Sequence, residues 1–172
     1  MANTMTLIQS VTVPSGGSAS IDFTSIPSTY TDLCIKVSGR SSRANATDGL
    51  RLQFNGSSSA VYSTRRLYAY STTPASDSLT GSAFIYADPL DAATNTASTF
   101  TNTEIYVPNY AGSVNHSVSL DTIAESNTAT PYMTLSAGLW ANATPIVQVT
   151  LTSDVGSFVQ YSTAYLYGIK SS

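Results

Sequence analysis

Charge is the scarcest commodity in this sequence. Only 10% of the 172 residues are Asp, Glu, Lys or Arg, against about 25% in an ordinary soluble domain. Solubility must therefore come from hydroxyls and amides. The single cysteine, Cys34, excludes an internal disulfide framework and any cluster of thiolate metal ligands. Its place between Leu33 and Ile35 in an alternating run predicts a buried or half-buried thiol. No stretch approaches the 18 or more apolar residues of a membrane-spanning helix. The opening MANTMTLIQSVTVPSGGS has neither a basic start nor a long apolar run, so it does not read as a signal peptide. The chain is expected to stay in the cytosol, or to leave it by a route that needs no leader.

Catalytic groups are equally sparse. Nucleophile-and-base chemistry requires a His, a Lys or a paired carboxylate within hydrogen-bond reach of the nucleophile. The one histidine, His116, falls in phase with Val114, Val118 and Leu120, which predicts a structural histidine rather than a base. Asp88 and Asp91 in ADPLD could offer two oxygens to a hard cation but lack the spacing of a calcium loop, so an Asp-Pro turn is expected. No glycine loop followed by Lys and a helix start is present to cradle a phosphate. These absences predict a protein without catalytic residue, cofactor or required metal. The four Asn-X-Ser/Thr triplets at Asn45, Asn55, Asn115 and Asn142 are expected by chance in so Asn-, Ser- and Thr-rich a chain.

What the chain has in abundance is short polar side chains: 28 serines and 24 threonines. Immobilising a Lys or Glu in a contact costs up to about 2 kcal/mol of side-chain entropy, and a Ser or Thr far less. Such a surface packs readily against neighbours. The length suits one domain burying roughly 70% of the surface of its unfolded form.

Alternating runs recur along the chain, over 6–13, 19–23, 32–38, 49–55, 61–70, 82–86, 99–107, 114–122, 132–140, 146–152 and 159–169. Turn signals separate them, including PSGGS, NGSSS, TTPAS, PNYAGS and NATP. Many short strands rich in Thr, Tyr and Val predict an all-β fold, a single β-sandwich of jelly-roll type. It would occupy 6–169, with a short polar arm at 1–5 and a tail at 170–172. Between Ile26 and Ser59, two strands carrying Leu33, Ile35, Val37 and Leu50, Leu52, Phe54 inward read as a hairpin closed by an arginine-bearing loop. Val147, Val149 and Leu151 are expected to face inward, as are Ile105 and Val107. One of the adjacent Leu139 and Trp140 must point outward.

Positive charge is concentrated. Lys36, Arg40, Arg43, Arg51, Arg65 and Arg66 stand against Asp48 alone, a local balance of +5 in a chain of net −3. A nucleic-acid binder would be basic overall, so subunit contact fits this asymmetry better. Two readings stay open: the arginines meet a partner, or they pair within the fold. On the first, Arg40 and Arg43 lie on a free loop, where replacement alters stability by no more than about 0.5 kcal/mol. Tyr62, Arg66, Tyr68 and Tyr70 share one phase of VYSTRRLYAY, and Tyr with Arg is enriched at binding hot spots; core burial is the alternative. In the last strand Tyr161, Tyr165 and Tyr167 share one face and Ala164 and Leu166 the other, so both faces want cover.

The segments SIPSTYTDLCIKVSGRSSRA, DGLRLQFNGSS, TFTNTEIYVPNYAGS, WANATPIVQVTLT and FVQYSTAYLYGIKSS resemble a family of small virion proteins of tailed bacteriophages, notably those of cyanobacteria. The resemblance spans about Thr6 to Ile169 and consists of strand-and-turn patterns without an active site. It implies a capsid decoration or cement protein, bound to the major capsid protein as a homotrimer on the particle, with no nucleic acid or membrane as partner. A tail fibre or other tail component is the alternative. A free-standing chain, from its own Met1 to two residues past Lys170 and without a repetitive shaft, favours decoration. A carbohydrate-binding sandwich, with an exposed Tyr or Trp140 stacked on sugar rings, is a third reading. The expected interaction residues are Arg40, Arg43, Arg65, Arg66, Tyr62, Tyr68, Tyr70, Tyr161, Tyr165 and Tyr167.

Overall fold

A computed structural model describes residues 4–128 and 131–170. Among them there is no α-helix. The strands are β1 (Met5–Thr12), β2 (Ser20–Phe23), β3 (Asp32–Gly39), β4 (Thr47–Asp48), β5 (Leu50–Phe54), β6 (Tyr62–Tyr70), β7 (Thr73–Ser82), β8 (Ile85–Tyr86), β9 (Leu90–Asp91), β10 (Thr101–Val107), β11 (His116–Ala124), β12 (Tyr132–Trp140), β13 (Val149–Ser153) and β14 (Thr163–Ile169). They form an eight-stranded sheet in the order β1-β14-β3-β10-β11-β12-β6-β7, a four-stranded sheet β2-β13-β5-β8, and the small pair β4-β9. The protein is an all-β sandwich. Its wrapping is of jelly-roll kind: β1 and β2 run against β14 and β13 across both sheets, and β3 with β5 runs against the same two strands on their other side.

That wrapping overturns the expected hairpin between Ile26 and Ser59. β3 lies in the eight-stranded sheet between β14 and β10, while β5 lies in the other sheet between β13 and β8. The alternation of each strand is as read, with Leu33, Ile35, Leu50, Leu52 and Phe54 fully buried. Sequence adjacency does not decide which sheet a strand joins, and the chain from Gly39 to Leu50 crosses from one layer to the other. Asn55 and Gly56 do turn the chain, at φ of 52° and 65°. The Asn55 amide is then bolted to the approach to β13: its Oδ1 accepts from Val147 and Gln148 N–H and its Nδ2 donates to the Pro145 carbonyl.

Three further expectations are corrected. β7 falls where TTPAS reads as a breaker; it is an edge strand exposed along almost its whole length, so no face selects for apolar residues and no alternation is written into it. β13 begins at Val149, leaving Val147 exposed and Ile146 buried. β14 begins at Thr163, and Tyr161 precedes it at φ 71° with its side chain in solvent, so Tyr161 does not share a strand face with Tyr165 and Tyr167. β1 starts at Met5; of the expected arm at 1–5 and tail at 170–172, residues 1–3 and 171–172 lie outside the described residues.

The core sits between the sheets around Trp140, Tyr62, Tyr110, Phe23, Phe54 and Phe158. Burying aromatic and branched side chains of this size contributes roughly 1.5–3 kcal/mol each. Trp140 takes the inward place and leaves Leu139 half-exposed. Its ring stacks on Tyr62 at 6.2 Å and on His116 at 5.6 Å between centroids. β8 lies so close beneath β12 that a Cβ on Gly138 would come within 2.7 Å of the Ile85 side chain.

The four-stranded sheet is too narrow to cover the eight-stranded one. Near β10 to β6 the inner face therefore turns polar, with Thr64, Thr101, Thr103, Thr122 and Thr134 buried there. Farther along β6 and β12 the inner face opens to solvent at Tyr70 and Tyr132. This opening positions the candidate site.

Candidate functional site

The stripe Tyr62, Arg66, Tyr68, Tyr70 does run down the inner face of β6, and the two readings of it divide by position. Tyr62 is core. Its hydroxyl accepts from the Phe54 N–H at 3.0 Å and donates to the Ser57 carbonyl at 3.2 Å. Burial pushes that phenol up. Arg66, Tyr68 and Tyr70 lie past the rim of the smaller sheet. There Tyr132 of β12, paired in register with Tyr70, stacks on Tyr68 at 5.6 Å and meets Tyr70 edge-on at the same separation.

Arg66 organises this region. It forks onto Asp77 of β7, directly opposite in register, with Nε–Oδ1 of 2.8 Å and Nη2–Oδ2 of 2.6 Å. Its Nη1 donates to Asp88 Oδ2 at 2.5 Å. Its guanidinium also lies 5.1 Å from the Tyr86 ring centre and 5.7 Å from that of Tyr68. The bidentate bond from Arg66 holds the Asp77 carboxyl below its ordinary range and holds the Arg66 proton more firmly than usual, against the cost of burial. Burial dominates at Asp88. Despite Arg66 and a 2.8 Å bond from the Leu50 N–H, its carboxyl is pushed up to about 6.

Across from Asp88 lies Asp48, whose side chain is fully buried. Burial alone would raise its pKa, but bonds from the Ser41 hydroxyl at 2.6 Å and from the Gly156 and Gly49 N–H groups, each at 2.9 Å, hold it below the ordinary carboxylate range. Between Asp48 and Asp88 a cleft of about 260 Å³ opens, with Arg43 and Asp154 at its mouth and Tyr86 and Tyr132 in its walls.

The basic segment is spent largely inside the molecule. Lys36 pairs with Glu104, Arg51 with Asp154, Arg43 with Asp48 at 3.5 Å, and Arg66 with two aspartates. Charge asymmetry along the chain is thus complementarity between its own segments. Arg40 requires a correction, because it lies on no free loop. It is 8% exposed, and its guanidinium donates to the carbonyls of Ala92, Asn95, Thr96 and Thr99 and to the Thr99 hydroxyl, at 2.8 to 3.1 Å. It ties down the 92–99 loop. Arg65 alone of the six faces solvent without an ion pair among the described residues.

His116 is buried at the start of β11, in phase with buried Val118 and Leu120, whereas Val114 lies outside the strand and is exposed. Its Nε2 donates to the Thr144 carbonyl at 3.0 Å, its ring is sandwiched on Trp140, and burial lowers its pKa. Cys34 is buried and its thiol is pushed up by burial, the opposite of an activated nucleophile. Asp91 is buried beside Arg40 and accepts from the Asn95 amide at 2.5 Å.

A second surface was not legible in advance. On the outer face of the eight-stranded sheet, Leu67 of β6 stands opposite Leu135 of β12, flanked by Met133 and Ile123. Leu67, Leu135 and Met133 are 59%, 53% and 52% exposed. A shallow groove of about 550 Å³ runs beside them past Arg65, Ser119 and Ala137. Tyr165 and Tyr167 lie on the same outer face at the other end, on β14, which has β1 and β3 beside it but no second sheet above it.

No protein-family model matches the chain, and no curated protein does. Among solved structures, similarity is found to a galectin, LEC-6, of Caenorhabditis elegans, at 9% identity and a TM-score of 0.39 over 91% of this chain and 94% of that one. A homodimeric agglutinin from chicken liver, CG-16, gives 11% identity and a TM-score of 0.33 over 84% and 97% of the two chains. Scytalido-glutamic peptidase gives 11% and 0.27, over 88% of this chain and 64% of that one. Likeness at this level carries nothing about binding or catalysis.

Proposed function

We propose that the chain is a non-enzymatic structural protein of a tailed-phage particle, a capsid decoration or cement protein that binds the major capsid protein and its own copies as a homotrimer. The observation that supports an attachment role is the exposed apolar stripe of Leu67, Leu135 and Met133 on an unpaired sheet face. Soluble monomers rarely expose contiguous apolar patches beyond a few hundred Å², and larger ones mark interaction surfaces. The surrounding Ser and Thr surface costs little entropy to immobilise, which suits repeated contacts on a lattice. Closed rings place matching patches on every copy, and capsids offer three-fold positions for them. A position on the tail is the second reading, favoured by the aromatic and arginine cleft, which a plain cement would not need.

The test is co-sedimentation with particles lacking the protein. Leu67→Lys combined with Leu135→Asp turns two solvent-facing side chains that stand opposite each other into an opposite-charge cross-strand pair, so the variant is expected to fold and to melt close to the wild type yet to lose particle binding. Undiminished binding by the folded variant overturns the proposed surface. Sedimentation velocity on the free protein checks the trimer.

A further inference from the structure

We propose that the cleft between Asp48 and Asp88 is a binding site for one ring of a neutral saccharide. At about 260 Å³ it lies at the small end of ligand pockets, which run to ~300–1,000 Å³ for drug-sized molecules. It has room for a single sugar ring.

The chemistry of its walls selects among small ligands. Each carboxylate at the cleft already faces a guanidinium: Asp88 with Arg66 at 2.5 Å, Asp48 with Arg43 at 3.5 Å, and Asp154 with Arg51. A phosphate would find its arginines neutralised, and a divalent cation its carboxylates. Among the described residues no group of three or more His, Cys, Asp or Glu side chains is placed to hold a metal. What the pairs leave is direction with a small negative excess, because Arg66 is shared between Asp88 and Asp77, and that excess disfavours an anion further. The Asp88 and Asp154 oxygens retain lone pairs, whereas those of Asp48 are filled from within the fold, and among the described residues the Arg43 guanidinium has only the one long bond to Asp48. Adjacent donors and acceptors of this kind match neighbouring hydroxyls, each of which donates and accepts.

Aromatic surface completes the match. Tyr86 and Tyr132 line the cleft, and neither hydroxyl is bonded to another of the described residues. Both rings are braced, Tyr132 by its stack on Tyr68 and Tyr86 by the edge of Phe84 at 4.8 Å and by Arg66. Rigid aromatic walls with a few convergent polar groups are how small polar ligands are held. The inference does not depend on where the protein sits on a particle, and its failure would leave the attachment surface untouched.

The test is protein-observed NMR of the isotope-labelled full chain titrated with a panel of methyl glycosides of glucose, galactose, mannose and N-acetylglucosamine, alongside inorganic phosphate and calcium. At least one glycoside is expected to bind, roughly in the millimolar range, and to shift the amides of Thr47, Tyr86 and Tyr132. Arg43→Ala, on a half-exposed loop, and Tyr132→Ala should each weaken that binding about tenfold or more, and Tyr161→Ala should not. No bound glycoside, binding mapped elsewhere on the surface, unchanged affinity in folded Arg43→Ala, or binding of phosphate or calcium alone at the cleft would overturn the assignment.

Discussion

Replacing Arg40 by alanine is expected to cost about 3–5 kcal/mol of stability, from losing several charge-assisted hydrogen bonds at one buried site. The side chain is 8% exposed and its guanidinium serves five acceptors, four of them main-chain carbonyls of the 92–99 loop. Hydrogen bonds to charged groups contribute roughly 1.5–3 kcal/mol each, and they do not add because they share one side chain. Truncation would take the guanidinium donor from the Asn95 and Thr99 carbonyls and deprive buried Asp91 of Arg40, one of the groups that favour its ionised form. Native domains hold only about 5–15 kcal/mol in all. With a urea dependence of about 2.5 kcal/mol per molar, a loss of 4 moves the unfolding midpoint down by about 1.6 M. Urea unfolding followed by tryptophan fluorescence reads this directly, since Trp140 is the only tryptophan and lies in the core. Arg65→Ala, on the open outer face, serves as the control and should stay within about 0.5 kcal/mol. A similarly small effect for Arg40→Ala would refute the assignment of Arg40 as a structural clamp.

Two other outcomes follow from the inner face. Asp88 titrates at about 6 when folded, above its unfolded value, so its ionised form works against the fold; that penalty is present at neutral pH and fades as pH falls through 6. Between pH 7 and pH 5 the wild type should therefore gain about 1 kcal/mol relative to Asp88→Asn. Parallel pH profiles of the two proteins would contradict the shift. Gly138→Ala would drive a methyl to within 2.7 Å of Ile85 and should cost about 1–3 kcal/mol by overpacking; Ile85→Ala, which removes the clashing atoms, should cost less in that background than alone, and strictly additive losses would show that the contact relaxes freely.

Strands with one buried face were readable because burial writes itself into the sequence. Leu33, Ile35 and Val37, or Leu50, Leu52 and Phe54, alternate because one side of each meets the core. β7 was not readable, since an edge strand in solvent on both faces has nothing to alternate. Arg40 and Arg65 look alike in sequence, yet one is a clamp and the other is free, because burial is decided by the 92–99 loop closing over Arg40. The cleft was half legible. Arg66, Tyr68 and Tyr70 shared a phase, whereas Tyr86, Asp88 and Tyr132 reach them only through the pairing of β6 with β12 and the crossing of β8 beneath. The outer stripe of Leu67, Met133 and Leu135 has no signature in the sequence because, in a strand that also carries buried residues, an exposed leucine reads as core.

The most direct test of the attachment role is a reconstruction, at side-chain resolution, of the particle that carries this chain, with its copies counted. The account predicts copies on the order of hundreds on the outer shell, grouped in threes about lattice axes, with Leu67, Leu135 and Met133 covered by a neighbour. A handful of copies confined to the tail vertex, or shell-bound copies with that face bare, would contradict it.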